Sequence, residues 1–201
     1  MLGSKRCLEN EAARAINSIK SVGIDVAIAQ FGGECSLYEI ENQVETLSPE
    51  KPDFLVALGG GKTVDAGRCI AERLSVPIVI APTLASNDAP CSALSVVYTT
   101  EGVQESVEFF ARNPTLVIVD TEVVANADER YLVAGIGDAM ATWYEAKVCR
   151  ANTAAVTPAG ARPTLAAYAM SMICAETLYE FGEEAIAAVA ESINNDSLEK
   201  V

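Results

Sequence analysis

Two hydrophobic rhythms alternate along the first 120 residues. Residues 8–22 (LENEAARAINSIKSV) place apolar side chains at helical spacing, and Gly23 follows as a stop. Residues 24–29 (IDVAIA) read as a strand. Residues 36–47 predict a second amphipathic helix. Ser36 opens it with Glu39 three residues later, the spacing of a capping box, and Pro49 and Pro52 close it. Residues 54–58 (FLVAL) are a continuous apolar run, which predicts a strand covered on both faces. Gly59-Gly60-Gly61 follows at once, then a helix over 62–74, then a second buried strand over 76–81 (VPIVIA). The order β-α-β-α-β, with helical connections long enough for crossovers, predicts a parallel sheet.

Further on, residues 92–98 and 103–109 flank Thr99-Thr100-Glu101-Gly102 and predict a hairpin. Residues 116–120 (LVIVD) predict one more buried strand. Beyond Asp120 the strand pattern stops. Residues 128–149 and 164–193 are helical throughout, separated by Thr157-Pro158-Ala159-Gly160. The change in composition near Ala127 predicts an α/β domain over 1–126 and a helical segment over 127–201. Met1-Leu2-Gly3 reads as the last residues of a strand, so the first strand is expected to be incomplete.

Composition narrows the function classes. Half of the 201 residues are hydrophobic, enough for a packed core in one domain or one and part of a second. Lys and Arg number 14 against 28 Asp and Glu, a net charge of −14, which disfavours nucleic acid and anionic lipid as partners. Residues 163–199 carry seven of the acids and no base, a solvated helix face. No apolar run approaches the roughly 20 residues of a membrane span, and MLGSKRC does not open a signal peptide. The 6 Cys show no CxxC spacing and read as scattered, buried, reduced thiols of a cytoplasmic protein. With 0 His, the chain has no Ser-His-Asp triad, no Cys-His pair and no imidazole metal ligand.

The glycine run Leu58-Gly59-Gly60-Gly61-Lys62-Thr63 joins a buried strand to a helix. Glycines let a backbone approach a ligand closely, and free N–H groups at a helix start favour phosphate. The loop falls at the carboxyl end of a parallel strand, where open α/β sheets bind ligands. Three glycines exceed what a plain βα turn needs. A Walker A loop would require glycine where Val56 stands, and a dinucleotide fingerprint would require it where Val64 stands. The pattern that remains is GGGK[ST]-x-D, here Gly59, Gly60, Gly61, Lys62, Thr63 and Asp65. The next strand leads into PTLASNDAPCSA (82–93), a small, polar loop on the same sheet edge. The hydroxyls of Thr83, Ser86 and Ser92 there suit a nicotinamide or a ribose, although an ordinary structured loop would read the same way.

In order, GGGKTVD, PTLASNDAPCSALSVVYT, NPTLVIVDTEVV and GIGDAMATWYEA resemble the glycerol dehydrogenases of the iron-containing alcohol dehydrogenase superfamily. The likeness runs through the whole chain, and family members are nearly twice as long. It implies a Rossmann-like, parallel-sheet nucleotide-binding domain followed by the start of an all-helical metal-binding domain, with the active site in the cleft between them. It further implies that Gly61 and Lys62 contact the pyrophosphate of NAD, with Gly59 and Gly60 shaping the loop and Asp65 closing the motif. Thr83, Ser86, Ser92, Leu94 and Tyr98 would line the cofactor's path. Asp88 would bond a glycerol hydroxyl, and Asp138, at the start of the helix GDAMATWYEA, would ligate a divalent metal, zinc above all. A plain helix-capping role for Asp138 is the competing reading. The expected activity is oxidation of glycerol, or a related vicinal diol, to dihydroxyacetone, and the full-length family implies a homo-oligomer.

Two departures from the family qualify this. The family's metal is held by one Asp and two His, and this chain supplies only Asp138, so an incomplete metal site and an inactive chain are expected. A catalytically silent piece that binds NAD or a partner chain is the alternative. The family also places an acid after the first strand to meet the adenosine ribose; Ser4 stands there, followed by Lys5 and Arg6, either a relaxation toward NADP or two solvated charges. The rival enzyme classes, a P-loop phosphotransferase and a lyase like dehydroquinate synthase, fit the two loops less well.

Overall fold

A computed structural model describes residues 1–157 and 160–201. It divides into two compact units. The first comprises Met1–Leu84 and Ala89–Asp120, and the second comprises Ala85–Asp88 and Thr121–Val201.

The first unit is built on a five-stranded sheet in which every pairing is parallel. Its strands are β1 (Leu2–Gly3), β2 (Ala29–Gln30), β3 (Leu55–Gly59), β4 (Ile78–Pro82) and β7 (Leu116–Val117), in the order β2-β1-β3-β4-β7. The fold class is therefore α/β, as the alternating pattern predicts. Strands β3 and β4 pair over five positions, from Leu55 with Ile78 to Gly59 with Pro82. Two strands are shorter than their sequence patterns. Residues 24–28 do not join β2, whose ladder with β1 pairs Leu2 with Ala29 and Gly3 with Gln30. The run 116–120 is not buried on both faces. It is the sheet's outer strand, and Leu116, Ile118 and Val119 stay half exposed while Val117 packs on the core.

Helices α1 (Lys5–Glu9), α2 (Glu11–Ser21), α3 (Leu37–Leu47) and α4 (Gly61–Leu74) connect these strands. The single helix expected over 8–22 is split at Asn10. Ser36 caps α3 as its spacing predicts, accepting from the Glu39 N–H at 3.2 Å. The return half of the box is absent. The Glu39 carboxylate instead accepts from Gly32 N at 2.7 Å and from Gln43 Nε2 at 2.9 Å, which closes the Gly32-Gly33 bend onto α3. Leu2, Ile40, Leu55, Val64, Ile70 and Ile80 form the centre of the core. Helix α4 lies directly on β3, since a Cβ at Gly67 would stand 2.5 Å from the Ala57 Cβ. The hairpin of β5 (Leu94–Tyr98) and β6 (Gln104–Phe109) is antiparallel, with its turn closed by Gly102 N donating to Thr99 O at 2.9 Å.

The second unit is helical in its described residues: α5 (Thr121–Ala125), α6 (Glu129–Ala151) and α7 (Leu165–Ala190). Asp128 caps α6 and Thr164 caps α7. Val124, Ala125, Leu132, Ala185, Val189 and Leu198 are its buried centre, with Ala85 and Ile136 packed against them. Pro158 and Ala159, part of the predicted break between the long helices, lie outside the described residues. No described helix is long and apolar enough to cross a membrane. All six cysteines are free. Cys7, Cys35 and Cys69 are buried as expected, but Cys91 is exposed and Cys149 and Cys174 are half buried.

Candidate cofactor and metal-ligand sites

The glycine loop stands where the sheet's topology predicts, at the carboxyl end of β3, with Thr83 beside it at the end of β4. Thr83 N donates to Gly59 O at 3.1 Å and fastens the two strand ends together. Helix α4 begins at Gly61, and its cap residue Gly60 has no side chain to satisfy the first-turn N–H groups. Those donors remain available to an anion, which the helix dipole also favours. Two of the three glycines have packing reasons of their own. A Cβ at Gly59 would meet Thr63 Oγ1 at 2.7 Å, and one at Gly60 would meet Leu84 Cδ1 at 2.9 Å. The loop is therefore tight by its own packing, and the surplus of glycines over a plain turn is smaller than the sequence suggests.

Lys62 is exposed, with its Nζ 2.6 Å from Glu34 Oε2 and 5.8 Å from the centre of the Tyr98 ring. Glu34 and Tyr98 thus hold the ammonium at the mouth of the loop. Next to Glu34, the Cys35 thiol is pushed well above its ordinary range by its hydrogen bond with the Cys69 thiol and by burial, so it stays protonated.

Asp65 does not point at the loop opening. Its carboxylate is buried and accepts from Arg68 Nη1 at 2.8 Å and from Val96 N at 3.1 Å. Arg68, also buried, donates to Leu94 O at 2.6 Å, Ser95 Oγ at 2.9 Å and Ala89 O. Ser95 in turn donates to Asp65 O at 3.0 Å. One buried ion pair thereby ties the first turns of α4 to the second loop and to β5. Leu94 lends this hub its carbonyl, and Ser92 turns its hydroxyl to Ala89 O and Leu94 O within its own loop. Sequence reasoning singled out Asp65 and missed Arg68, although a carboxylate and a guanidinium three apart on one helix face are a readable signal. It also missed Gly67, which serves the close helix–strand packing that a dinucleotide fingerprint assigns to its last glycine. Ser4 caps α1, accepting from Cys7 N, and Arg6 is paired with Glu11 at 3.0 Å.

Ser86, Asp88 and Asp138 belong to the second unit. Asp138 is not at a helix start. It lies well inside α6, which is capped by Asp128, so the capping reading of Asp138 is excluded. The helix continues through Gly135 and Gly137 without a break. Asp138 Oδ2 accepts from the main-chain N–H of Asp88 at 3.1 Å, bringing together the two aspartates singled out for chemistry. Ser86 is half buried in the same short segment. Among the described residues, no group of three or more Cys, Asp or Glu converges as metal ligands.

Comparison with known proteins identifies the family of the chain. The family model for iron-containing alcohol dehydrogenases matches residues 3–121. The chain is 44% identical over 201 residues to a glycerol dehydrogenase of Escherichia coli O6:H1, covering 100% of this chain and 54% of the relative. It is 48% identical over 171 residues to a glycerol dehydrogenase of Thermotoga maritima, covering 85% and 46%. The crystal structure of glycerol dehydrogenase from Schizosaccharomyces pombe superposes with a TM-score of 0.91 at 33% identity, over 99% of this chain and 50% of that one. The chain spans about half the length of the curated relatives it matches. By its matched domain and by these relatives, the chain belongs to the iron-containing alcohol dehydrogenase family.

Proposed function

We propose that this chain carries the cofactor-binding part of an NAD-dependent polyol dehydrogenase that oxidises glycerol, or a related vicinal diol, to dihydroxyacetone in the cytoplasm. The observation that carries the reading is the open start of α4, at the carboxyl edge of a parallel sheet, in a member of this family. NAD supplies a hydride acceptor when bound. The first-turn N–H groups at Gly61 and beyond, with the Lys62 ammonium, suit its pyrophosphate. Gly59 and Gly60 keep the loop low enough for that approach. Thr83, Ser92, Leu94, Tyr98 and Ser86 are the candidates for its ribose and nicotinamide contacts. Asp88 is exposed and suited to accept a bond from a diol hydroxyl. The protein's contribution to such a hydride transfer is chiefly to hold the two reactants in place.

The metal fits less well. Asp138 is one carboxylate, already accepting one bond, and a catalytic zinc keeps three protein ligands. The described residues do not make that site by themselves, so no step is assigned to a metal here. That shortage favours a second reading, in which this chain binds NAD without turning over a polyol alone and works only in an oligomer or with a partner that completes the site.

The test is calorimetric titration of the pure chain with NADH, with ATP as a control. Binding of NADH that ATP does not reproduce supports the proposal; no heat with NADH sinks it. Glycerol oxidation with zinc added separates the two readings, since turnover by the pure chain removes the need for a different partner chain.

A further inference from the structure

We infer that Gly135 is a positioning residue: it seats the segment Ala85–Asp88 on helix α6 and so sets the approach of Asp88 to Asp138. The inference deepens the proposed function and rests on it, because Asp88 is the residue proposed above to meet the diol and Asp138 is the carboxylate that orients its main chain.

The geometry leaves no room for a side chain. A Cβ at Gly135 would stand 2.1 Å from Ala85 O, 2.9 Å from Ala85 C and 3.3 Å from Ser86 C. All three are backbone atoms, which cannot swing aside as a side chain can. The segment therefore touches the helix backbone at this turn. Asp138 follows three residues later, on the same helix face, and receives the Asp88 N–H there. Ala85 also packs against the buried centre of the second unit. The segment is thus pinned at both ends, by a close approach at Gly135 and by a hydrogen bond at Asp138. Glycine in a helix interior is unfavourable relative to alanine, and here that cost goes with the contact. Gly137, two residues away, is the internal control, since nothing lies within 4 Å of its would-be Cβ.

The test compares Gly135→Ala with Gly137→Ala in the 201-residue chain by amide NMR. Both substitutions raise helix propensity, and only the first collides. Gly135→Ala is expected to move the Asp88 amide resonance, to speed its solvent exchange by up to about fivefold and to lower the thermal midpoint. Gly137→Ala is expected to leave that amide in place and to raise the midpoint. An Asp88 amide untouched by Gly135→Ala, or moved equally by both, overturns the inference. Should Gly135→Ala not fold, Asp138→Ala decides the matter. If Gly135 seats the segment, the Asp88 amide loses protection while the Ala85 and Ser86 resonances stay. If all three shift together, the carboxylate is the seat and the inference fails. None of these readouts uses NADH, metal or polyol, so a failed ligand titration counts against the proposed function alone.

Discussion

The main-chain N–H of Asp88 donates to Oδ2 of Asp138 at 3.1 Å, across 50 positions of sequence. Two carboxylates brought together would repel, but here the amide dipole of one residue faces the charge of the other. The bond is exposed to water, so its loss in Asp138→Ala is expected to cost at most about 1 kcal/mol. The bonds of the glycine loop are made within the first unit, so NADH affinity should not change. Thermal unfolding and NADH calorimetry on one variant check both expectations, and a large loss of NADH affinity would contradict the second.

The Asp65–Arg68 pair is a different case, because both groups are buried and each holds up other bonds. Removing one partner leaves the other charged and without its counter-ion. Arg68→Met is expected to destabilise the first unit by about 3–5 kcal/mol. The double variant Asp65→Asn/Arg68→Met should cost less than the two single changes together, because it removes both charges. Chemical denaturation of the four proteins measures the coupling, and simple additivity would refute it.

Lys62 acts at the surface, and its role is expected in binding and not in stability. A charge-assisted contact to phosphate is of the order of 1.4 kcal/mol, so Lys62→Ala should raise the NADH dissociation constant about tenfold. The thermal midpoint should hardly change, since surface ion pairs such as Lys62–Glu34 contribute little. An unchanged affinity would remove Lys62 from the cofactor site.

Acid should loosen the hairpin of β5 and β6 before it unfolds the sheet. The bidentate bond from Arg73 holds the Glu108 carboxyl below its ordinary 4.5, against the opposing effect of burial. A carboxyl depressed in the folded state stabilises it above the unfolded value. That contribution is lost as pH falls below about 4.5 and through the folded value. Amide exchange of β6 between pH 5 and pH 3 should show the loss, and Glu108→Gln should flatten the dependence. A hairpin equally protected at both pH values would contradict the assignment.

Legibility followed range. The helix over 36–47, the strands at 55–59 and 78–82, the hairpin and the two long helices all have patterns written in neighbouring residues, and all were readable. So was the Ser36 cap, which spans three positions. The order of glycine loop, polar loop and GIGDA segment was enough to place the chain in its family. What lay outside the local pattern needed the fold. Residues 24–28 are as apolar as a strand, but the ladder with β1 begins at Ala29, and the run 116–120 stays largely exposed because, among the described strands, β7 pairs with β4 alone. Glu39 answers to Gly32 and Gln43, and Asp65 to Arg68 and Val96.

The sequence by itself determined which segments are helix and strand, that the sheet is parallel, and that a loop of glycines meets a helix start at its carboxyl edge. These follow from periodicity and turn chemistry, which act over a few residues. The tertiary structure alone decided that Asp138 lies inside a helix instead of capping one, and that Gly67 and Gly135 are glycines because backbones or Cβ atoms press against them. It also decided that Asp88 and Asp138 meet. Close approach and hydrogen bonding between distant segments depend on where the chain returns in space, and no local pattern encodes that return.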